Sequence, residues 1–336
     1  MRPWKTPARC YSLSQNELLA FRAPAHPLHE PLETPVEILV GVDEDSAFEP
    51  VLAALRWCVR LGPGDHVTVL HATPLAPWLR RMDDGDPGWQ GRLETEEARA
   101  EQLLATADRT LVAWGVSPHL LRADEGATAA LLRVAEEKHA GLVVVGALGR
   151  SERGFLIGSV SQKVKALAHS DVLLVRGVVP LPDQRFRALL AVDGSSESLA
   201  AVRSFSEKLR ADDADARVVH ALDLPLTVWD AFGDTDDVDA AELPPPLREQ
   251  MDRAIAGALA ILREHGIEAS TEIRRGRAAE EILHAAERYR PHLIVMGSRG
   301  LSGLRALVVG SVTQRVVRHG RASVLVARAP VRRGHA

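Results

Sequence analysis

Cysteine and aromatic residues are both scarce in this chain. Its 336 residues include two cysteines, Cys10 and Cys58, and aromatic side chains make up 4% of the total. The two cysteines are far apart and show neither C-x-x-C nor Cys/His ligand spacing, so neither a disulfide framework nor a zinc site is indicated. Cys58 lies beside Trp57 in an apolar helical pattern and is predicted to be a small buried hydrophobe. This cysteine usage favours a reducing, cytoplasmic location.

Long apolar runs and an excess of one charge are also missing. The apolar segments are as short as strands, for example Leu142 to Val145, whereas a membrane-spanning helix needs about 18 residues or more. The 41 basic and 45 acidic residues give a formal charge of -4, which produces no general attraction to nucleic acid or to an anionic membrane. A hydrophobic share of 46% is enough for packed cores. The sequence therefore predicts a soluble globular protein that binds neither nucleic acid nor membrane.

One sequence unit occurs twice, at a separation of about 150 residues. ILVGVDEDS, which begins at Ile38, returns as LLAVDGSSE from Leu189. LVVVGALG and GSVSQKV of the first half return as LIVMGSRG and GSVTQRV in the second. We expect a first domain at 36–177 (the first unit), a second domain at 186–329 (the second unit), and a flexible extension at 1–35. The linker between the domains is short, so they are predicted to stay in contact as an internal pseudo-dimer.

Each unit has the pattern of an α/β fold. Continuous runs of Val, Ile and Leu alternate with segments of helical period, which is typical of a parallel sheet covered by helices on both faces. Right-handed crossovers then give two tandem doubly wound sheets of five strands each. The first unit is predicted to have strands near 37–43, 66–72, 118–123, 141–146 and 171–176. The second is predicted to have strands near 187–193, 216–222, 269–274, 292–297 and 322–327, and helices near 196–210, 247–265, 278–289 and 311–319.

Glycines of the second unit stand where such a sheet binds ligands, beyond the carboxyl ends of strands one and four. Gly297 and Gly300 follow the fourth strand, and nine residues later Gly310 and Ser311 open the last helix. The first two glycines are predicted to allow positive φ and a close approach of the backbone to a ligand. Gly310, Ser311 and Val312 are predicted to offer backbone N–H groups at a helix N-terminus, where phosphate is favoured.

An acidic residue, Asp193, follows the first strand of the second unit. In nucleotide-binding α/β folds an acidic residue at this place often holds a ribose hydroxyl. Val192, and the backbone near Val219 at the predicted end of strand two, are placed to sandwich and hydrogen-bond an adenine. Ser195 or Ser196 is the expected N-cap of the following helix, which leaves the Asp193 carboxylate free.

The spacing G-x2-G-x9-G-S after a VMGS strand, with VDGS at the end of strand one, resembles the ATP-binding signature of the universal stress protein family. The resemblance covers both units. It implies two flavodoxin-like (adenine-nucleotide α-hydrolase-like) domains of strand order 3-2-1-4-5 that associate through their last strands. It also implies ATP or another adenine nucleotide as ligand, with Mg²⁺ at the phosphates, and pairing of two chains is a further expectation. Asp193 would contact the ribose, and the phosphates would be held by Gly297, Gly300, Gly310, Ser311 and Val312.

The first unit departs from this pattern in one spacing. Asp43 corresponds to Asp193, and it is followed by acidic residues that weaken anion binding. The counterparts of the glycine loop are Gly146, Gly149, Gly158 and Ser159. Only eight residues separate Gly149 from Gly158, which predicts a helix N-terminus displaced relative to the glycines. The first site is therefore expected to be altered or empty and the second intact.

Several functions stay open on these residues. No G-x-S-x-G, Walker A or Rossmann motif occurs, no histidine pair has ligand spacing, and no general base or arginine finger is placed. No catalytic residue and no metal ligand is therefore assigned, and His71 and His220 are interpreted as strand-end residues that line the crevice. We expect a nucleotide-dependent stress-response regulator. The alternatives are a slow ATP hydrolase or pyrophosphatase and a nucleotide-free interaction scaffold. The segments after strand two differ between the units and are predicted to be lids, partner surfaces or solvated loops.

Overall fold

The computed structural model describes residues 35–43, 48–61, 64–82, 87–147, 158–176, 185–209, 214–222, 243–301 and 309–329. The first unit contains β1 (Glu37–Val42), α1 (Phe48–Trp57), β2 (His66–Ala72), α2 (Ala76–Met82), α3 (Pro87–Ala113), β3 (His119–Ala123), α4 (Ala127–Glu137), β4 (Leu142–Gly146), α5 (Ser159–Leu167) and β5 (Asp171–Val175). The second contains β6 (Arg187–Ala191), α6 (Ser196–Lys208), β7 (Asp215–Leu222), α7 (Pro245–Glu264), β8 (Ala269–Arg275), α8 (Ala278–Tyr289), β9 (Leu293–Gly297), α9 (Ser311–His319) and β10 (Ser323–Ala327). Every predicted strand is present, and the predicted extension lies almost wholly outside the described residues.

The ten strands form one sheet in the order β3-β2-β1-β4-β5-β10-β9-β6-β7-β8. Each unit is parallel and has the predicted order 3-2-1-4-5. The units meet at β5 and β10, which pair antiparallel with Leu173 opposite Leu325. This is the join through the last strands that the resemblance implied. The strands of the two units run in opposite directions, so their carboxyl ends point to opposite sides of the molecule. The two candidate sites therefore lie at opposite ends of the strands.

Two buried layers cover the sheet, one on each face. Alternate strand residues such as Ile38 and Leu190 pack beneath α1, α3, α6 and α7. The intervening residues, such as Leu39 and Leu189, pack beneath α4, α5, α8 and α9. Each layer contains side chains of both units, so the antiparallel join is part of the core. Cys58 is 6% exposed in the first of these layers, as predicted for a small buried hydrophobe.

The segment after β2 of the first unit is helical, so the loop interpretation is wrong there. Trp78 of α2 packs edge-on against Trp89 of α3, with ring centroids 5.4 Å apart. Arg80 of α2 pairs with Glu97 of α3 at 2.6 Å and also with Asp124, which follows β3. These contacts hold the two helices to the carboxyl end of β3. The corresponding segment of the second unit, 223–242, lies outside the described residues.

A buried histidine links the starts of β6 and β9. The Nδ1 atom of His292 accepts a hydrogen bond from the Arg187 backbone N–H at 3.0 Å. Its ring stacks on Phe186, with centroids 6.0 Å apart. Burial, helped by the nearby Arg187 guanidinium, lowers the pKa of His292 to about 4. A proton on Nδ1 would remove the acceptor for the Arg187 N–H, so the neutral ring is the form that fits the fold.

We expect this histidine to make the fold sensitive to acid. Because the folded-state pKa is below the ordinary value, the unfolded chain takes up a proton first as the pH falls through about 6.5. The stabilisation is present above that pH and is lost between about 6.5 and about 4, by up to about 1.4 kcal/mol per pH unit. The measurement is urea unfolding across this range for wild type and for His292→Asn, which keeps an acceptor without titrating. If the free energy of unfolding changed with pH in the same way in both proteins, His292 would not be the source of the acid sensitivity.

Candidate functional site

The second-unit site lies where the winding of the sheet reverses. β6 and β9 are neighbours in the sheet, with Leu190 opposite Val295. α6 follows β6 and packs in one buried layer, and α9 follows β9 and packs in the other. The crevice beyond the carboxyl ends of these two strands is therefore open between the first turns of α6 and α9. This is the place at which doubly wound sheets bind ligands.

The Asp193 carboxylate ties the start of α6 to the glycine loop. Its Oδ1 atom accepts hydrogen bonds from the backbone N–H and the hydroxyl of Ser195, at 3.0 and 2.6 Å. Its Oδ2 atom accepts one from the backbone N–H of Leu301 at 3.0 Å. The prediction that this carboxylate is free is wrong. Three of its roughly four acceptor positions are used, so one position remains for a ligand hydroxyl.

Ser195 is the N-cap of α6, as predicted. Its hydroxyl oxygen accepts a hydrogen bond from the backbone N–H of Ser198 at 3.1 Å while the hydroxyl donates to Asp193. Gly194, which lies between Asp193 and Ser195, has φ +82°, a conformation that residues other than glycine adopt rarely. A short glycine turn therefore places the acidic residue and the helix cap side by side.

The glycines after β9 are required by contacts inside the protein. A Cβ atom on Gly297 would lie 2.7 Å from the carbonyl carbon of Glu197 and 2.8 Å from the nitrogen of Ser198. One on Gly300 would lie 2.5 Å from Asp193 Oδ2. Neither glycine has positive φ, so that part of the prediction is wrong. Gly297 lets the first turn of α6 pack on β9, and Gly300 makes room for the Asp193 carboxylate.

The N-terminus of α9 lies against this loop. The backbone N–H of Gly310 donates to the Ser298 carbonyl at 2.8 Å. Gly310 is the N-cap and provides no side-chain hydrogen bond to the first turn, which opens with Ser311 and Val312. The structure thus brings Gly300, Gly310, Ser311 and Val312 to one place, as predicted. The intervening residues 302–308 lie outside the described part of the chain.

Two buried polar groups in this loop were missed by the sequence reasoning. Ser298 is 1% exposed. Its hydroxyl and the Nε of Arg299 are buried and have no hydrogen-bond partner among the residues that the structure describes. A buried donor without a partner costs about 1–3 kcal/mol, and a bound ligand is one explanation of such a group. The only sequence signal for these two groups is their position inside G-S-R-G, between the two glycines.

A second guanidinium lies close to Arg299. Burial, with a further contribution from the Arg299 charge, lowers the pKa of Arg328. The Arg328 side chain donates to the carbonyls of Lys165 and Ala166 at the end of α5, at 3.1 and 2.7 Å. Arg299 itself pairs with Glu197 at 2.9 Å. Two guanidinium groups therefore lie near each other beside the glycine loop, and Arg299 Nε is a donor without a partner among the described residues, which suits an anion.

The residues that were predicted to contact the adenine or to line the crevice have other contacts in the structure. β7 continues to Leu222, so Val219 is inside the strand, and its carbonyl accepts a hydrogen bond from the Val192 backbone N–H at 3.0 Å. His220 is 3% exposed, and its Nδ1–H donates to the Val192 carbonyl at 2.8 Å. Burial lowers the pKa of this histidine, which favours the neutral ring. His220 thus holds the turn before Asp193 and does not line the crevice; in the first unit His71 contacts the Val42 carbonyl in the same way, at 3.0 Å.

The first unit keeps the same placement of the last helix. The backbone N–H of Gly158 donates to the Ala147 carbonyl at 2.9 Å, as Gly310 does to Ser298. The two N-cap glycines have nearly identical dihedral angles, φ -60° and ψ 146° against φ -59° and ψ 150°. The predicted displacement of the helix N-terminus is therefore wrong. In the sequence, the one-residue difference between the units falls within 148–157, which lies outside the described residues.

The remaining first-unit site residues follow the second unit in outline. Gly146 ends β4, and its carbonyl accepts a hydrogen bond from the Ser161 hydroxyl. Ser159 is the first residue of α5, and Asp43 is exposed directly after β1. Ala147, fully buried, stands where the second unit has Ser298, so the unpartnered hydroxyl is missing here. Gly149 lies outside the described residues.

Comparison with known proteins decides the family. The profile of the Universal stress protein family matches residues 37–176 and 185–328, once on each unit. The chain belongs to the universal stress protein family. Universal stress protein Rv2623 of Mycobacterium tuberculosis is 31% identical to this universal stress protein over 312 residues, which cover 87% of this chain and 96% of that protein. A universal stress protein of Thermus aquaticus is 36% identical over 141 residues, covering 42% of this chain and 96% of its own length.

The architecture of this universal stress protein also has a solved counterpart. The crystal structure of a universal stress protein from Archaeoglobus fulgidus DSM 4304 superposes with a TM-score of 0.59 and covers 88% of this chain and 98% of that chain. The sequence identity is 18%, so the likeness shows the fold alone. Within the described ranges of this universal stress protein, no three His, Cys, Asp or Glu side chains are grouped so that they could hold a metal ion. In the same ranges, no helix has the length and apolarity needed to cross a membrane.

Proposed function

We propose that this universal stress protein binds ATP or another adenine nucleotide at the second-unit site, and that occupancy of the site regulates its association with a partner in the stress response. The observation that carries the proposal is the pair of buried, unpartnered groups, the Ser298 hydroxyl and Arg299 Nε, beside the uncapped N-terminus of α9. Phosphate oxygens are acceptors that would satisfy all of these donors together. A site of this kind suits a polyanion better than a neutral ligand.

The other predicted residues have places in this proposal. The free acceptor position of Asp193 would take a ribose hydroxyl, and the adenine would lie towards Val192 and Val219. The phosphates would meet Gly300 and the first turn of α9. Mg²⁺, where present, would neutralise phosphate charge and would be held mainly by the phosphates and water, since the described residues offer no three-ligand group.

The first unit is proposed to bind the same ligand more weakly. It keeps the helix N-terminus at Gly158 and Ser159. It has Ala147 in place of Ser298, which removes one donor, and acidic residues follow Asp43 in the sequence. Fewer donors and more negative charge both reduce the affinity for phosphate.

Substitution of Gly310 by Asp tests the proposal without harming the fold. At φ -59° and ψ 150° this position is a helix N-cap, where aspartate is a preferred residue and stabilises by a few tenths of a kcal/mol relative to glycine. The new carboxylate would occupy the N–H groups of α9 and repel phosphate, so we expect the affinity for ATP to fall at least about tenfold. The measurement is isothermal titration calorimetry with ATP, with thermal unfolding as the check on folding.

Two matched variants complete the experiment. Gly310→Asn introduces a neutral cap of the same size and is expected to weaken binding less than the aspartate does. Gly158→Asp places the same charge in the first unit, at an N-cap of nearly identical geometry. It is expected to leave the ATP affinity of the second-unit site unchanged. ATP binding by Gly310→Asp at wild-type affinity would sink the assignment of the site. A wild-type protein that binds no nucleotide would favour the interaction scaffold.

A further inference from the structure

An ion pair spans the proposed phosphate site. The Arg299 Nη2 atom and the Glu197 Oε1 atom are 2.9 Å apart, and the two side chains are 27% and 14% exposed. The other oxygen of Glu197 accepts a hydrogen bond from the Ser196 hydroxyl at 2.7 Å. The pair connects the first turn of α6 to the loop between β9 and α9. A carboxylate is thus held at a site whose other features favour an anion.

The protein backbone fixes both partners at this position. α6 cannot move away from β9 freely, because its start is tied to Asp193 through Ser195. On the other side, a Cβ atom on Gly310 would lie 3.5 Å from the Arg299 Cα atom, so Arg299 borders the N-terminus of α9. Glu197 and a bound phosphate would therefore lie on either side of the same guanidinium.

The guanidinium of Arg299 is only partly used by Glu197. One terminal nitrogen is paired, whereas Nε is buried without a partner among the described residues. A guanidinium binds a phosphate best through two parallel hydrogen bonds, for which Nε and a terminal nitrogen are suited. A phosphate that engages Nε would take part of the Arg299 charge from Glu197. The carboxylate and the phosphate thus compete for one cation.

We propose that Glu197 is a specificity-determining residue that competes with ligand phosphates for Arg299. The inference rests on the proposed nucleotide function and concerns which ligands the site retains. A ligand with several phosphate groups can outcompete the carboxylate, whereas a ligand with one phosphate group is held less well, and a nucleoside does not interact with the arginine through phosphate. The ion pair therefore makes affinity depend steeply on the number of phosphates, and it keeps the arginine neutralised when no ligand is bound.

Neutralising the carboxylate tests this competition. In Glu197→Gln the repulsion and the competition are removed, so we expect ATP to bind about fivefold more tightly or better, AMP to gain less, and adenosine to be unchanged. In Arg299→Gln we expect the opposite order, with ATP weakened most and adenosine unchanged. Glu207→Gln removes the same charge near the far end of α6 and is the matched control, with no change expected. Dissociation constants are measured by calorimetry with ATP, AMP and adenosine, each in Mg²⁺ and in EDTA, and thermal unfolding confirms that each variant folds.

The outcomes separate this inference from the proposed function. If wild type binds none of the three ligands, both proposals fail. If wild type binds ATP and Glu197→Gln binds every ligand as wild type does, the competition alone is refuted. A Glu197→Gln variant that loses ATP affinity in Mg²⁺ but not in EDTA would make Glu197 a metal ligand, which also overturns the inference.

Discussion

Replacing Asp171 by alanine is expected to lower the free energy of unfolding by about 3 kcal/mol. Asp171 is 6% exposed at the start of β5, where the two units join. Its Oδ2 atom accepts hydrogen bonds from the Lys208 ammonium and the Ser204 hydroxyl, both at 2.6 Å, and its Oδ1 atom accepts one from the Arg328 backbone N–H at 2.9 Å. All three donors belong to the second unit. Alanine would leave a largely buried cation and two donors without their shared acceptor.

Urea unfolding of the full chain measures this effect. Glu101→Ala, on the exposed surface of α3, is the control and should change stability by less than about 0.5 kcal/mol. The double variant Asp171→Ala, Lys208→Met should recover part of the loss, because it removes the unpaired cation. An Asp171→Ala protein that unfolds at the same urea concentration as the control would show that the carboxylate does not hold the units together.

Gly297→Ala is expected to destabilise the protein by about 2–3 kcal/mol and to weaken ATP binding. The added Cβ would lie 2.7 to 2.9 Å from backbone atoms of Glu197 and Ser198. Backbone atoms cannot move aside cheaply, so the N-terminus of α6 must shift. That shift would displace Asp193 and Glu197 together, because both lie beside this turn.

Gly310→Ala is the matched control, since it makes the same chemical change in the same loop. Its Cβ would have no neighbour closer than 3.5 Å, and φ is -59°. Alanine is a poorer N-cap than glycine but lowers the entropy of the unfolded chain, so the two effects oppose each other and stability should change by less than about 1 kcal/mol. Urea midpoints of the two variants give the comparison. Equal midpoints would contradict the packing role assigned to Gly297.

The fold could be predicted from the sequence because the local signals agreed with the packing. The helices at Ala278–Tyr289 and Ser311–His319 have the bounds that were predicted. Both have a helical period with one buried face, and the second of them follows a strand that is apolar throughout, Leu293–Gly297. The internal repeat indicated that both units share one fold, and the strand order was implied by the resemblance to the universal stress protein family. The bounds of the first-unit helices were not predicted, and neither was the additional helix α2, which is held by contacts such as Arg80 to Asp124 that join residues distant in the sequence.

The site was predictable in its position but not in its contacts. The sequence placed Asp193 and the glycines at the right edge of the sheet. It could not show that Asp193 bonds Leu301, because that contact depends on how the loop returns after Gly300. The helix start at Gly158 illustrates the same point. One missing loop residue did not displace it, because its N–H is anchored to the Ala147 carbonyl.

Titration of the nucleotide-free protein with ATP tests most directly the claim that the second-unit site binds an adenine nucleotide. We expect saturable heat with one tight class of site per chain, and an increase in the unfolding temperature that grows with ATP concentration. Gly310→Asp should abolish the tight class, and Gly158→Asp should retain it. No heat and no thermal shift at millimolar ATP would contradict the claim, and so would a tight site that is lost in Gly158→Asp instead.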